Sequence, residues 1–456
     1  MKKLVLLTFC FPLMVFAQNT DSMFIKQLSD DIMQNGKAHD WLRELTKKIG
    51  GRLAGSPQFV QAVQWGKKTL ESTGVDKVYL QECMMPHWIR GGKDVVNIVS
   101  VDGKKQIKAL DALALGNSVG TGKKGITTQV IAVNNFTELA QLKDKIKGKI
   151  VFFNYPFNPT YIAPGKSYGE AGAYRRGGPS IAAKYGAIAV LTRSLTEATD
   201  NHPHTGSTSY NDSFPKIPAA ALGLQDADYL FKLCKQSTNV QVSITTNGQF
   251  LPDTIGHNVI AEIKGSEYPN QYITVGGHLD SWDVNEGAHD DGAGIVHTIE
   301  IARAFIKLGY KPKHSIRFVL FANEENGLRG ANKYAEEAAK NKEEHIFALE
   351  SDAGGFTPRG FGCTMSEKQL QKLQSWIPLL KPYGTDNINS GGGGADIGPL
   401  ARTFKTPIAG LTPDGQRYFD LHHARTDVFE NVNKRELHLG AVNMAALIYL
   451  IDKYGL

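Results

Sequence analysis

The stretch QYITVGGHLDSWDVNEGAHDDGAGIVHTIEIARAFIKLG, residues 271–309, decides the fold. It opens on the β-branched run QYITVGG and crosses a loop crowded with acids and glycines. It then continues as GAGIVHTIEIARAFIKLG, an apolar-periodic segment closed by Gly309 and Pro312. This is a strand followed by a helix. The unit repeats downstream: HSIRFVLFAN is a strand, NKYAEEAAKN a helix and HIFALESD a strand. The helix SEKQLQKLQSWIPLL, with Ser366 and Gln369 spaced for a capping box, the strand PIAGL and a last helix follow. Such alternation predicts an α/β fold, a mixed, mainly parallel sheet with helices on both faces. Sheets of this kind bind ligands beyond the carboxyl ends of their strands.

Those ends carry ionisable groups. His278 follows YITV, Glu324 and Glu325 follow IRFVLFA, and Asp352 follows IFALES. Each alone is weak, since paired glutamates usually decorate solvated faces and an Asp before Gly is most often a turn. Three at one sheet edge point to a site, because clustered carboxylates repel one another unless a cation sits among them. Asp290 and Asp291 precede the helix that begins near Gly292, where the helix dipole favours negative charge. Asp291 reads as serving that helix start; a second acid at the same place gains little as a cap, and a cation explains Asp290 better. His422 and His423, in YFDLHHARTD, are either ligands or an ordinary polar loop. The HPH of residues 202–204 has no acids near it in sequence and reads as loop. The run SGGGGAD, residues 390–396, lacks the strand-to-helix setting of a phosphate loop and reads as backbone approaching a site or substrate. Trp282, Tyr418 and Phe419 are either pocket walls or packing.

At the other end of the chain, MKKLVLLTFCFPLMVFA, residues 1–17, reads as a signal peptide cut before Gln18, which predicts a secreted or periplasmic protein. Cys10 is a poor lipoprotein site because the bulky Phe9 precedes it. No later apolar run reaches the roughly 18 residues of a membrane span. With 51 basic and 45 acidic side chains, two of the basic ones in the leader, the charge is too mild to imply a nucleic-acid partner. Past the leader only Cys83, Cys234 and Cys363 remain, so no disulfide framework defines the fold. The length of 456 residues favours two or three domains. FIKQLSDDIM and SPQFVQAVQWGKKTLESTG, the latter with Ser56 as cap and Pro57 in its first turn, predict N-terminal helices. Residues 18–107 read as the first part of a main domain and 249–456 as its second part. Between them, 108–248 has a different texture, with strands such as TTQVIAV and GKIVFFN around a Gly/Pro/Tyr-rich segment, and reads as an inserted β-rich domain.

GGHLDSWD, GAHDDGAG, FANEENGLRG, ALESDAGG and FDLHHARTD, taken in order, resemble the motifs of the co-catalytic dizinc aminopeptidase family, zinc peptidase family M28. Within it, the chain is similar to the secreted plasma glutamate carboxypeptidase group from GGRLAGSP, residues 50–57, to the last helix. The resemblance implies a zinc-exopeptidase, phosphorylase/hydrolase-like fold, with RRGGPSIAAKYGAIAVL in a protease-associated insert. It implies two zinc ions bound by His278, Asp290, Glu325, Asp352 and His423. Asp290 would bridge, His278 and Asp352 completing one ion, Glu325 and His423 the other. His423 rather than His422 matches the family's spacing to Asp427. Glu324 falls where the family has its general base, and Asp280 where an aspartate orients the histidine ligand. The implied activity is hydrolysis of dipeptides or short peptides by a zinc-bridging hydroxide, and relatives of this kind imply a homodimer. Two cations, three carboxylates and a hydroxide make a neutral cluster. Three alternatives stand beside this reading: an aminopeptidase acting on longer peptides, a non-catalytic binding ectodomain of the same fold, and a one-zinc glutaminyl cyclase, against which the five-ligand set argues.

Overall fold

A computed structural model describes residues 12–456. The expected leader lies outside the described residues up to position 11, and a helix, Pro12–Asn35, covers its remainder. The main sheet has eight strands. At its centre, His314–Phe321, Tyr268–His278, Glu344–Glu350 and Ile408–Pro413 run side by side in parallel. Antiparallel neighbours flank this block on both sides, so the sheet is mixed as expected.

Side-chain alternation divides the core into two layers. Phe318 and Leu320 face a cluster that includes Val275, Ile295, Ile299 and Leu447. Val319 and Phe321 face Tyr334, Ala348 and Leu400 on the other side. The helices Ala293–Lys307 and Lys434–Tyr454 cover the first face, and Arg329–Lys340 and Gly398–Phe404 the second. Both faces are therefore dry, which explains why the central strands read as unbroken apolar runs. Ser56 caps Pro57–Ser72 by accepting from Phe59 N–H, and Ser366 with Gln369 forms the capping box.

The chain leaves the main sheet along Lys77–Ile89 and returns along Gln249–Ile263, the two strands pairing antiparallel from Lys77↔Glu262 to Ile89↔Gln249. Between them lies a second eight-stranded sheet with its own apolar layers. The division read at residue 108 falls inside one of its strands, Lys104–Leu110, which pairs with Val95–Val101. Strand pairing thus sets the division near Val95, because the texture change seen in sequence lags the first hairpin. The Gly/Pro/Tyr-rich segment also holds two helices, Pro164–Arg176 and Gly178–Lys184. Its glycines weaken intrinsic helix propensity, and the packing of Ala171 and Ala182 supplies what propensity does not. Cys83, Cys234 and Cys363 are all unpaired. Among the described residues, no helix is long and apolar enough to cross a membrane.

Candidate metal centre

The carboxyl ends of the central parallel strands converge as the alternation requires. His278 ends one strand and pairs in register with Phe321, the last residue of the next, after which the chain turns through Glu324 and Glu325. On the opposite side Gly276 pairs with Glu350, two residues before Asp352. The loop beyond Ile408–Pro413 brings in His422 and His423.

Three buried aspartates lace these loops together. Asp291 accepts from His278 N–H at 3.0 Å and from Gly294 N–H at 2.9 Å, joining the strand end to the helix start it was expected to serve. Asp280 accepts from the N–H groups of Glu324 at 3.0 Å and Glu325 at 3.3 Å. Asp427 accepts from His289 N–H at 2.7 Å and Asp290 N–H at 3.1 Å. Beneath them lies Arg52, wholly buried, whose guanidinium donates to the carbonyls of Leu279, Glu286 and Gly287. Its permanent charge offsets some of the surrounding negative potential.

At the surface of this scaffold the five expected ligands meet, with Asp290 central. Asp290 Oδ1 is 3.1 Å from His278 Nε2, which is 3.4 Å from Asp352 Oδ1. Asp290 Oδ2 is 3.2 Å from His423 Nε2, which is 3.1 Å from Glu325 Oε2. His422 stacks on His423 with ring centroids 3.5 Å apart, and its Nε2 is 3.4 Å from Asp290 Oδ2. Of the two rings, His423 alone combines the contact to Glu325 with an anchored far side. Its Nδ1 lies 3.2 Å from the Thr205 carbonyl, and His278 Nδ1 lies 3.0 Å from the Asp280 carbonyl. A carbonyl only accepts, so each Nδ1 carries a proton, and each Nε2 is the nitrogen turned toward the shared space, where it would offer its lone pair to a cation.

The donor set fits a cation. Asp290 Oδ2 and Glu325 Oε1 are buried without a hydrogen-bond partner among the described residues, a costly state unless something positive completes them. Imidazoles with carboxylates are the ligands that suit first-row divalent metals such as zinc. Electrostatics agree. Against burial, His278 and His423 hold Asp290 well below the usual carboxylate range. Burial, reinforced by Asp290, pushes Glu325 up to about 7. Burial also raises Asp427 to about 7, and burial with Asp352 raises Glu350 to about 8. The protein alone therefore carries more carboxylates here than it can keep ionised. Glu324 lines the same cavity, held well above its ordinary value by burial and by Asp352, Glu325 and Asp280.

Asp280 departs from expectation. Its carboxylate stands 3.9 Å from His278 Nδ1 and is committed to the Glu324–Glu325 backbone; its carbonyl orients the ring instead. The HPH segment is also more than loop. His204 is buried and donates from Nδ1 to the His422 carbonyl at 2.7 Å, while burial lowers it to about 4. Other residues absent from the sequence reading are His289, which anchors Gly355 N–H and the Asn431 carbonyl, and Arg175, whose Nη1 is 3.5 Å from His423 Nδ1. Glu350 and Asp396 form a further buried acid pair behind the site, Glu350 accepting from Ile397 N–H. Trp282 is fully buried and packs against Trp88, whereas Tyr418 and Phe419 line the cavity. The glycines 391–394 line an adjoining cavity of about 660 Å³, which they share with Asp352.

Comparison with known proteins agrees with this geometry. A family model described as peptidase family M28 matches residues 258–448. Human carboxypeptidase Q is 34% identical over 415 residues, covering 91% of this chain and 85% of its own. Carboxypeptidase Q of Xenopus laevis is 34% identical over 425 residues, covering 92% and 88%. The crystal structure of a peptidase M28 precursor from Shewanella amazonensis SB2B superposes with a TM-score of 0.89 at 30% identity, over 95% of this chain and 97% of that one. A zinc aminopeptidase from Bacillus subtilis shares the fold, with a TM-score of 0.65 at 18% identity over 91% of this chain and 95% of that one. With relatives alike along nearly the whole chain and the motif residues gathered at one strand edge, the chain belongs to peptidase family M28 and is a peptidase.

Proposed function

We propose that the chain is an exported dizinc exopeptidase that hydrolyses dipeptides or short peptides, with Glu324 as general base. The observation that carries this reading is Asp290, whose two oxygens face opposite donor groups, His278 with Asp352 and His423 with Glu325. His278, Asp290 and Asp352 would hold one ion, and Asp290, Glu325 and His423 the other. Zinc bound there supplies Lewis acidity toward the scissile carbonyl and lowers the pKa of water toward roughly 7.

The chain's own groups do the rest. Glu324 sits in the cavity wall, tied through its backbone to Asp280, and its carboxylate takes a proton from the attacking water. The C–O bond forms in that first transfer; Glu324 then returns the proton to the leaving amine, and the peptide C–N bond breaks. Burial and neighbouring acids raise its proton affinity, which suits a group that must hold the proton between the two transfers. The second sheet's unit, which we read as a protease-associated insert, roofs the cavity and favours short substrates over long ones. The sequence of residues 1–17 supports export.

The test is zinc analysis of the purified protein together with a panel of free dipeptides assayed with and without chelator. Two zinc ions per chain, activity lost on chelation and activity restored by zinc are expected. Full turnover in metal-stripped protein, or with one zinc per chain, would overturn the reading.

A further inference from the structure

The carboxylate of Glu324, the proposed base, makes no hydrogen bond among the described residues, so its aim is set by the backbone that carries it. That backbone is the turn of residues 322–328, just beyond the strand His314–Phe321. Two left-handed residues, Asn323 at φ 63° and Leu328 at φ 54°, fold the turn back, and Leu328 N–H closes it onto the Asn323 carbonyl at 2.5 Å. Non-glycine residues keep such a conformation only where their surroundings over-determine it.

On the main-sheet side those surroundings are Asp280, which accepts from the N–H groups of Glu324 and Glu325. The other end of the turn is held from the second sheet's unit. Asn326 Nδ2 donates to Asn117 Oδ1 at 3.1 Å, and Asn117 Nδ2 donates to the Asn326 carbonyl at 3.4 Å. Asn326 Oδ1 in turn accepts from Asn323 Nδ2, so three amides run in series from the second sheet's unit to the residue just before the base. Asn323 and Asn326 are buried, and Asn117 and Asn326 line the metal cavity of about 560 Å³ together with Glu324.

Asn117 is a firm anchor. Leu115 N–H donates to the Ala219 carbonyl at 2.9 Å, Gly116 N–H to the Gly206 carbonyl at 3.0 Å, and Ser118 Oγ accepts from Ala219 N–H at 2.8 Å. The segment is therefore stitched into the second sheet's unit on both sides of the asparagine. A side chain at Gly116 would collide with the Trp282 ring, so only glycine lets this segment lie against the loop that follows His278. Asn117 itself stands at φ 61°, a conformation that asparagine tolerates better than most residues and glycine adopts freely.

We infer that Asn117 is a positioning residue: through Asn326 it fixes the turn that aims the Glu324 carboxylate, so the second sheet's unit sets up proton transfer as well as roofing the cavity. This deepens the reading of Glu324 as general base and rests on it. Without the Asn117 amide, Asp280 still holds the first half of the turn, and the half beyond Glu325 is released. Misplacing a reacting group by about 1 Å costs on the order of 10²-fold in rate.

The experiment uses zinc-saturated protein, a free dipeptide and Asn117→Gly, which removes the amide while suiting the left-handed backbone. Zinc content and melting temperature are checked against the native protein. Asn117→Gly is expected to lower kcat about 10- to 100-fold while KM moves less than about threefold, because the displaced group acts in the chemical step. Amide hydrogen exchange, followed by mass spectrometry, is expected to quicken in the peptide spanning residues 322–328. Asn326→Ala is expected to give a similar loss in kcat, and the double variant no more than either alone, since the two residues form one link. Near-native kcat in Asn117→Gly, additive losses in the double variant, or a loss with unchanged exchange at residues 322–328 would overturn the inference while leaving the hydrolase intact. No hydrolysis by the native protein, or near-native turnover in Glu324→Gln, would overturn the reading of Glu324 as base and this inference with it.

Discussion

His423 donates from Nδ1 to the carbonyl of Thr205, 3.2 Å away and 218 residues earlier in the chain. Thr205 N–H returns a bond to the His423 carbonyl at 3.0 Å, and His204 holds the His422 carbonyl. This clasp secures a backbone in the left-handed region, φ 63° at His423, which costs a non-glycine residue about 1–2 kcal/mol. The second sheet's unit therefore aims a ring at the candidate metal centre as well as roofing it. Replacing His204 with Ala is expected to weaken zinc retention 10- to 100-fold in a folded protein, as loss of an orienting partner does. Chelator competition measures this, and native affinity in the variant would show that the clasp does not aim the rings.

Glu324 lies outside both donor groups, so its replacement separates chemistry from metal binding. Glu324→Gln is expected to retain native zinc content and lose about 10²- to 10⁴-fold in kcat. Steady-state kinetics beside metal analysis decides it; near-native turnover would remove Glu324 from the role of base.

Asp290 serves both donor groups, whereas Asp352 serves one. Asp290→Ala is accordingly expected to hold no zinc tightly, and Asp352→Ala to keep the ion on the Glu325–His423 side. Zinc-to-protein ratios after gel filtration check the difference. Equal losses in the two variants would deny Asp290 its shared position.

Protons and metal compete for this cluster. In the metal-free protein burial and Asp290 push Glu325 up from 4.5 to about 7, and burial and Asp352 push Glu350 up to about 8. Between the unfolded and folded values the folded protein binds more protons than the unfolded chain, so metal-free stability falls as pH rises through 7. Zinc must displace those protons. Its affinity is expected to drop as pH falls below 7, and proton release on binding to fade above 8. Calorimetry in buffers of different ionisation enthalpy reads the released protons directly; none at pH 6.5 would contradict the assignment.

Far from the site, Glu343 makes a two-pronged pair with Arg317, at 2.5 and 3.1 Å, and lies 3.2 Å from His345. Against burial, His345 and Arg317 hold its carboxyl down at about 2. A depressed carboxyl contributes stability above its unfolded value, lost as pH falls from about 4.5 toward 2. Glu343→Gln is expected to cost on the order of 2 kcal/mol at pH 7, allowing for solvent screening of this half-buried pair. In denaturant titrations the gap from the native protein is expected to close by pH 2; a pH-independent gap would assign the loss to packing instead.

What the sequence made legible follows from how local the signals are. His278, Glu325 and Asp352 each stand just beyond an apolar run, and such runs become adjacent parallel strands wherever helices separate them. Their convergence could therefore be read without coordinates. Asp291 was readable as a helix-start acid for the same reason. Asp280 was harder, because its side chain and its carbonyl do different work: the carboxylate serves a neighbouring turn, the carbonyl the histidine. The helix Pro164–Arg176 lay hidden in a glycine-rich run whose composition argues for loop.

The amino-acid order by itself determined the strand-helix rhythm and the edge at which ionisable side chains gather, since these depend on periodicity and on neighbours a few residues apart; the proposed ligand set came from the resemblance of its motifs. Only the tertiary structure decided that His204, Thr205 and Arg175 belong to the same site. Those contacts join segments more than 200 residues apart through backbone carbonyls and a bare guanidinium. A carbonyl is common to every residue, so its partnership with a particular ring exists only once two sheets are packed together.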